Sequence, residues 1–96
     1  MRVQVTQKHI DEGQASHCER CPIALAMLEQ YPVGKGRTWY VDGEAAFTGG
    51  NHQWLPLIAQ DFIHEFDENG GDAVGPFDFD TLDYDPRAVD FNAVSH

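Results

Sequence analysis

Two cysteines stand three residues apart in His17-Cys18-Glu19-Arg20-Cys21, a spacing that lets both thiolates meet one zinc ion, and His17 and His9 lie close enough in sequence to complete a four-ligand set. Zinc sites of this type draw their second ligand pair from a distant segment of similar spacing. Neither His52 with His64 nor a second Cys-x-x-Cys supplies one. The same spacing allows a thiol redox centre, which needs the attacking cysteine at a helix N-terminus, where the dipole lowers its pKa; Pro22 begins such a helix directly after the pair. The βαβ order of thioredoxin-like folds is missing. The expectation is that one or both cysteines act as buried small apolar residues clamping a loop onto the helix, with no cofactor, and a zinc or thiol module is the alternative.

Other chemistry is less well supplied. A cysteine–histidine nucleophile would need an orienting group and an oxyanion site, and the sequence assigns neither. Gly34-Lys35-Gly36-Arg37 lacks the spacing and the Ser or Thr of a phosphate-binding loop. Asp67-Glu68-Asn69-Gly70-Gly71-Asp72 lacks the ligand order of an EF-hand. The chain is therefore expected not to be an enzyme.

The carboxylates are the remaining candidates. Up to residue 50 the chain holds six acids and five bases; beyond it, ten acids and one base, for a net charge of −10. Asp61, Glu65, Asp67, Glu68, Asp72, Asp78, Asp80, Asp83 and Asp85 fall within residues 61–85, with no Lys or Arg among them. Phe62, Ile63, Phe66, Phe77, Phe79, Leu82 and Tyr84 are threaded through the run, so it reads as a folded acidic surface rather than a low-complexity tail. Such an array either only solvates the chain or presents itself to a basic groove of another protein, in effect imitating a phosphate backbone, with any exposed aromatic as an anchor. Direct binding to nucleic acid or anionic lipid is disfavoured by the charge. Trp39, Tyr40 and Trp54 have faces on which bases stack, but no basic groove would bring bases to them.

The elements that position these residues can be read from periodicity. Val3 and Val5 alternate with polar neighbours in a first strand over residues 2–6, and residues 7–12 make a short helical turn with Ile10 inward, closed by Gly13 in a left-handed conformation. Pro22 opens a core helix over residues 22–30; Ser16 with Glu19 also matches a capping box that would start it earlier. Asp42-Gly43 between β-prone runs predicts a hairpin with strands at 37–41 and 44–48 and a type I′ turn, ended by Gly49-Gly50-Asn51. A second helix spans 56–67, its stripe of Leu55, Ile58, Ala59, Phe62, Ile63 and Phe66 facing the core and Gln60, Asp61, His64, Glu65 and Asp67 facing out. Phe77-Asp78-Phe79-Asp80 alternates as a last strand over 76–80 with its carboxylates outward.

Ninety-six residues with 42% apolar content make one domain with a modest core. The expected fold is α+β, a small antiparallel sheet packed on two helices in residues 1–85, followed by a tail over 86–96. No run approaches a membrane span or a signal peptide, and two close cysteines are too few to staple a secreted domain, so the cytoplasm of a bacterial host is the expected location. The bacterial setting comes from the opening. Val5-Thr6-Gln7-Lys8-His9-Ile10-Asp11-Glu12-Gly13, followed by Cys18-Glu19-Arg20-Cys21-Pro22-Ile23-Ala24-Leu25-Ala26, resembles a group of short bacteriophage and prophage proteins that begin V-T-Q-x-x-I-D-x-G and continue C-x-x-C-P-[IV]-A-L-A. The resemblance covers about the first 30 residues and implies a phage-type origin, but carries no activity, ligand or site residue with it. By analogy of size, charge and origin, the expected role is binding to a basic host protein as a nucleic-acid-mimic inhibitor of a defence or DNA-binding complex. A phage structural or assembly protein, with a possible homo-oligomer, is a further alternative.

Overall fold

The computed structural model describes residues 1–86, so the expected tail lies, beyond Pro86, outside the described residues. Among the described residues the chain forms three α-helices and five short strands in an α+β fold. Strand β1 (Arg2–Val5) pairs antiparallel with β5 (Phe77–Asp80), setting Arg2 opposite Asp80 and Val5 opposite Phe77. Val3 and Val5 are buried and their polar neighbours exposed, the alternation a strand with one wet face requires. On the other edge of β1 the Gln30 side chain stands in for a strand. Its Oε1 accepts from the Gln4 N–H at 2.8 Å and its Nε2 donates to the Gln4 carbonyl at 2.7 Å, which caps an edge otherwise open to pairing.

Helix α1 (Gln7–Glu12) turns Ile10 inward as expected, but Gly13 is not left-handed. Its φ is −72°, and the glycine is needed for space: a Cβ there would lie 2.6 Å from Pro22 Cγ and 2.9 Å from the His9 carbonyl oxygen. Helix α2 (Pro22–Gln30) starts at Pro22 and not at Ser16, which takes a left-handed φ of 56° in the preceding loop. Cys21 is its N-cap, with Sγ accepting from the Ala24 N–H at 3.4 Å.

The expected single sheet is two. Strands β2 (Tyr40–Val41), β3 (Ala45–Thr48) and β4 (Asn51–Trp54) form a second antiparallel sheet, linked to the segment just beyond β5 by a bridge between Trp54 and Leu82 and by the Thr81 hydroxyl, which donates to Gln53 Oε1 at 2.7 Å. The first hairpin strand is shorter than residues 37–41 because Trp39 leaves the sheet for the core, where its indole N–H donates to the Tyr31 carbonyl at 3.0 Å. The Asp42-Gly43 turn forms, but not as type I′. Only Gly43 has a positive φ, 97°, while the Asp42 carboxylate caps the turn by accepting from the Glu44 and Ala45 N–H groups at 2.9 and 2.8 Å. Gly49-Gly50 does not end the hairpin; it is the turn leading into β4, which pairs Thr48 with Asn51.

Helix α3 (Leu57–Asn69) has Pro56 as its N-cap and ends at Gly70, whose φ of 81° is left-handed. Ala59, Phe62, Ile63 and Phe66 face the core as expected, but Ile58 is 58% exposed and Gln60 only 6%. At 100° per residue both flank the stripe on opposite sides. Gln60 falls on the side where its Nε2 donates to the Leu55 carbonyl at 2.9 Å, and Ile58 is left on the wet side. One cluster drawn from β1, all three helices, Trp39, Val41, Ala46, Leu55 and Phe79 forms the core.

Candidate functional site

The nine carboxylates of residues 61–85 do not form one array. Asp61, Glu65 and Glu68 stand exposed on α3, with Asn69 donating to Glu65 at 3.0 Å and His64 beside Glu68 at 3.3 Å. Asp67, one step round the helix, is half-buried, and its Oδ1 accepts from the Ser16 N–H at 2.8 Å, pinning the cysteine loop to α3. Asp72 is exposed on the 3-10 turn Gly71–Ala73; Asp83 is exposed and Asp85 half-buried beyond β5.

Asp78 and Asp80 are different. The strand register brings Arg2 across from them, and its guanidinium bonds both, Asp80 at 2.9 Å. Asp78 first and Asp80 second hold the Arg2 pKa above its ordinary value. These two belong to the β1–β5 pair and are not available as unopposed charge. The interleaved aromatics are mostly core: Phe62 lies 6.2 Å from Phe66 and 4.7 Å from Phe77, which in turn stacks on Phe79 at 5.5 Å. Of them only Tyr84 is an exposed candidate anchor, at 46%.

At the other candidate centre, Cys18 is exposed and Cys21 buried, and both thiols are free. Burial pushes the Cys21 thiol up from 9.0 to about 11, against the backbone N–H groups of Ala24 and Ile23, which pull it down. The attacking cysteine of a thiol redox centre needs a lowered pKa, so Cys21, buried at the N-cap of α2, is not equipped for that role. His9 does not turn to the cysteines. Its Nδ1 accepts from the Thr6 N–H at 2.9 Å, which places the ring proton on Nε2, 3.0 Å from Glu29. Both ring nitrogens are engaged, and among the described residues no three His, Cys, Asp or Glu side chains converge as a metal site.

Two features escape sequence reading. The wet face of β2–β3–β4 carries an aromatic row, Tyr40 stacked on Phe47 at 5.8 Å, Phe47 on His52 at 6.4 Å, and His52 edge-on to Trp54 at 4.9 Å. Tyr40 and Phe47 were expected on the hairpin, but the row needs β4 to complete it. The second is a cleft of about 360 Å³ between α3 and the β2–β3 turn, lined by Asp42, Gln60, Asp61, His64 and Asp67 among others. It adjoins a smaller hollow of about 250 Å³ under the cysteine loop, with Asp42, Gly43, Ile63 and Asp67 common to both. Gln60 gave no sequence signal because a polar residue flanking an apolar stripe reads as exposed.

No protein-family model, curated protein or solved structure is similar to this chain.

Proposed function

We propose that this protein acts by non-catalytic binding to a host protein with a basic surface, occupying a site that otherwise takes nucleic acid, as a phage-type inhibitor. The observation that carries this reading is the charge along α3. Asp61, Glu65 and Glu68 stand exposed along about 10 Å of helix, roughly one carboxylate per 5 Å, a linear charge density within a factor of two of the about 3.4 Å of axis per phosphate in one DNA strand. No Lys or Arg occurs on α3, so its field is not cancelled from within the helix. Surface charge of this kind steers encounter with a positive groove and makes binding fall as salt rises.

The test is affinity capture from a bacterial host lysate at two salt concentrations, with the bound protein then challenged by duplex DNA. A partner retained at low salt, lost at high salt and displaced by DNA supports the reading. A partner that resists both, or no specific partner, refutes it. The aromatic row on β2–β3–β4 favours one second reading, an assembly role in which that face meets a neighbouring subunit; a defined oligomer dispersed by Phe47→Ser would support it.

A further inference from the structure

We propose that the cleft between α3 and the β2–β3 turn is a receptor for an arginine side chain of the partner protein, with the Gln60 carbonyl as the acceptor that reads it. The inference rests on the basic-partner reading and deepens it from a charged face to a pocket.

Three observations converge. Gln60 lines the cleft, is 6% exposed, and has an Oε1 that finds no hydrogen-bond partner among the described residues, although its Nε2 is fixed on the Leu55 carbonyl at 2.9 Å. Buried amide oxygens without a donor are uncommon and costly, and an entering N–H, met by a small turn of the amide, would satisfy this one. The lining carboxylates come from both walls, Asp42 and Glu44 from the turn and Asp61 and Asp67 from α3, so the cleft attracts cations. Those carboxylates do not converge on a point: no metal site forms among the described residues, and the acceptors are instead strung along a cleft of about 360 Å³.

Spread acceptors with one amide oxygen among them suit a planar cation with several donors. Guanidinium offers five N–H groups in a fixed fork, and can bond a carboxylate with one edge while another N–H reaches a carbonyl. An ammonium, a compact charge with three donors, fits the spacing less well. A protein-borne guanidinium is favoured over a free one because Asp61 belongs both to the cleft and to the exposed acidic face of α3, so a side chain entering here would leave its flanking basic residues against Glu65 and Glu68.

The test titrates isotope-labelled protein with N-acetyl-arginine amide, and in parallel with N-acetyl-lysine amide, following the Gln60 side-chain amide and the backbone amides of Gly43, Asp61 and His64 by NMR. The expected result is saturable shifts confined to these positions, at least tenfold stronger binding for arginine than for lysine, and loss of that preference in Gln60→Met. Asp61→Asn, at an exposed position that leaves the fold intact, should weaken both ligands. Shifts scattered over every acid of the surface, or the same titration in Gln60→Met, would overturn the pocket. The two readings fail separately. Salt-sensitive capture of a partner with no arginine response in the cleft refutes the pocket alone. An arginine-selective cleft in a protein that captures no salt-sensitive partner refutes the basic-partner reading and the proposal that the arginine belongs to one.

Discussion

Replacing Cys21 by alanine tests whether the cysteine pair is packing or chemistry, and its signature is a pH dependence. In the folded protein burial holds the Cys21 thiol at about 11, against 9.0 for an unperturbed one. Below pH 9 the group is protonated in both states and does not distinguish them. As pH rises through 9 the unfolded chain releases the proton while the folded chain keeps it, so folding stability falls with a slope of about 1.4 kcal/mol per pH unit until the folded thiol also ionises near 11. Between pH 8 and 10.5 the wild type should lose close to 2 kcal/mol from this group alone, an order-of-magnitude figure for a thiol that is 4% exposed. Cys21→Ala gives up the packing and the Ala24 cap at every pH, about 1–2 kcal/mol, but carries no thiol to titrate. Every other group is common to the two proteins, and its contribution cancels in the difference. Urea unfolding at half-unit pH steps should show the variant less stable at pH 8 and the gap closing, or reversing, by pH 10.5. Parallel curves would refute the reasoning, because they would mean that Cys21 is not held in its thiol form by the fold.

Three further outcomes follow from the geometry. Iodoacetamide at neutral pH should alkylate Cys18 in the native protein and reach Cys21 only when denaturant is added; equal native rates would contradict the burial contrast. Gly13→Ala must displace Pro22 at the start of α2 and should cost about 2 kcal/mol or more, roughly 10 °C in Tm, whereas Gly50→Ala, with nothing within 4 Å of its Cβ, should stay within about 0.5 kcal/mol of wild type or gain slightly. Calorimetry of the pair decides it, and equal losses would contradict the steric account. Asp78→Asn with Asp80→Asn should lower thermal stability in low salt more than in high salt, since the pair holds Arg2 across the β1–β5 strands; a salt-independent change would show that the ion pairs contribute nothing.

What was legible in the sequence was local. Pro22 followed by an unbroken apolar run marks α2, and the three- and four-residue recurrence through Phe66 marks α3, because helical periodicity is written in neighbouring residues. The alternation of Phe77-Asp78-Phe79-Asp80 likewise gives β5 and the direction of its side chains. What was hidden depends on residues far apart in the chain. Asn51-His52-Gln53-Trp54 has few β-formers, and it is a strand because β3 lies on one side of it and Leu82 bonds Trp54 from the other. The division into two sheets has the same origin. The pairing of Asp78 and Asp80 with Arg2 comes from a register that joins the two ends of the described fold, and it removes two of the carboxylates that composition alone presents as open charge. Gln60 was hidden for a different reason: at the flank of an amphipathic stripe, burial is decided by which neighbour offers a partner, here the Leu55 carbonyl.

The central claim, that the carboxylates of α3 are the working surface, is tested most directly by capturing the partner from host lysate with wild type, with Asp61→Asn/Glu65→Gln/Glu68→Gln, and with Asp78→Asn/Asp80→Asn side by side. All three α3 positions are exposed, so the triple variant should fold, as circular dichroism will verify. The account predicts that the triple variant loses the salt-sensitive partner while the β5 double variant keeps it. Retention of the partner by the folded triple variant would contradict the account.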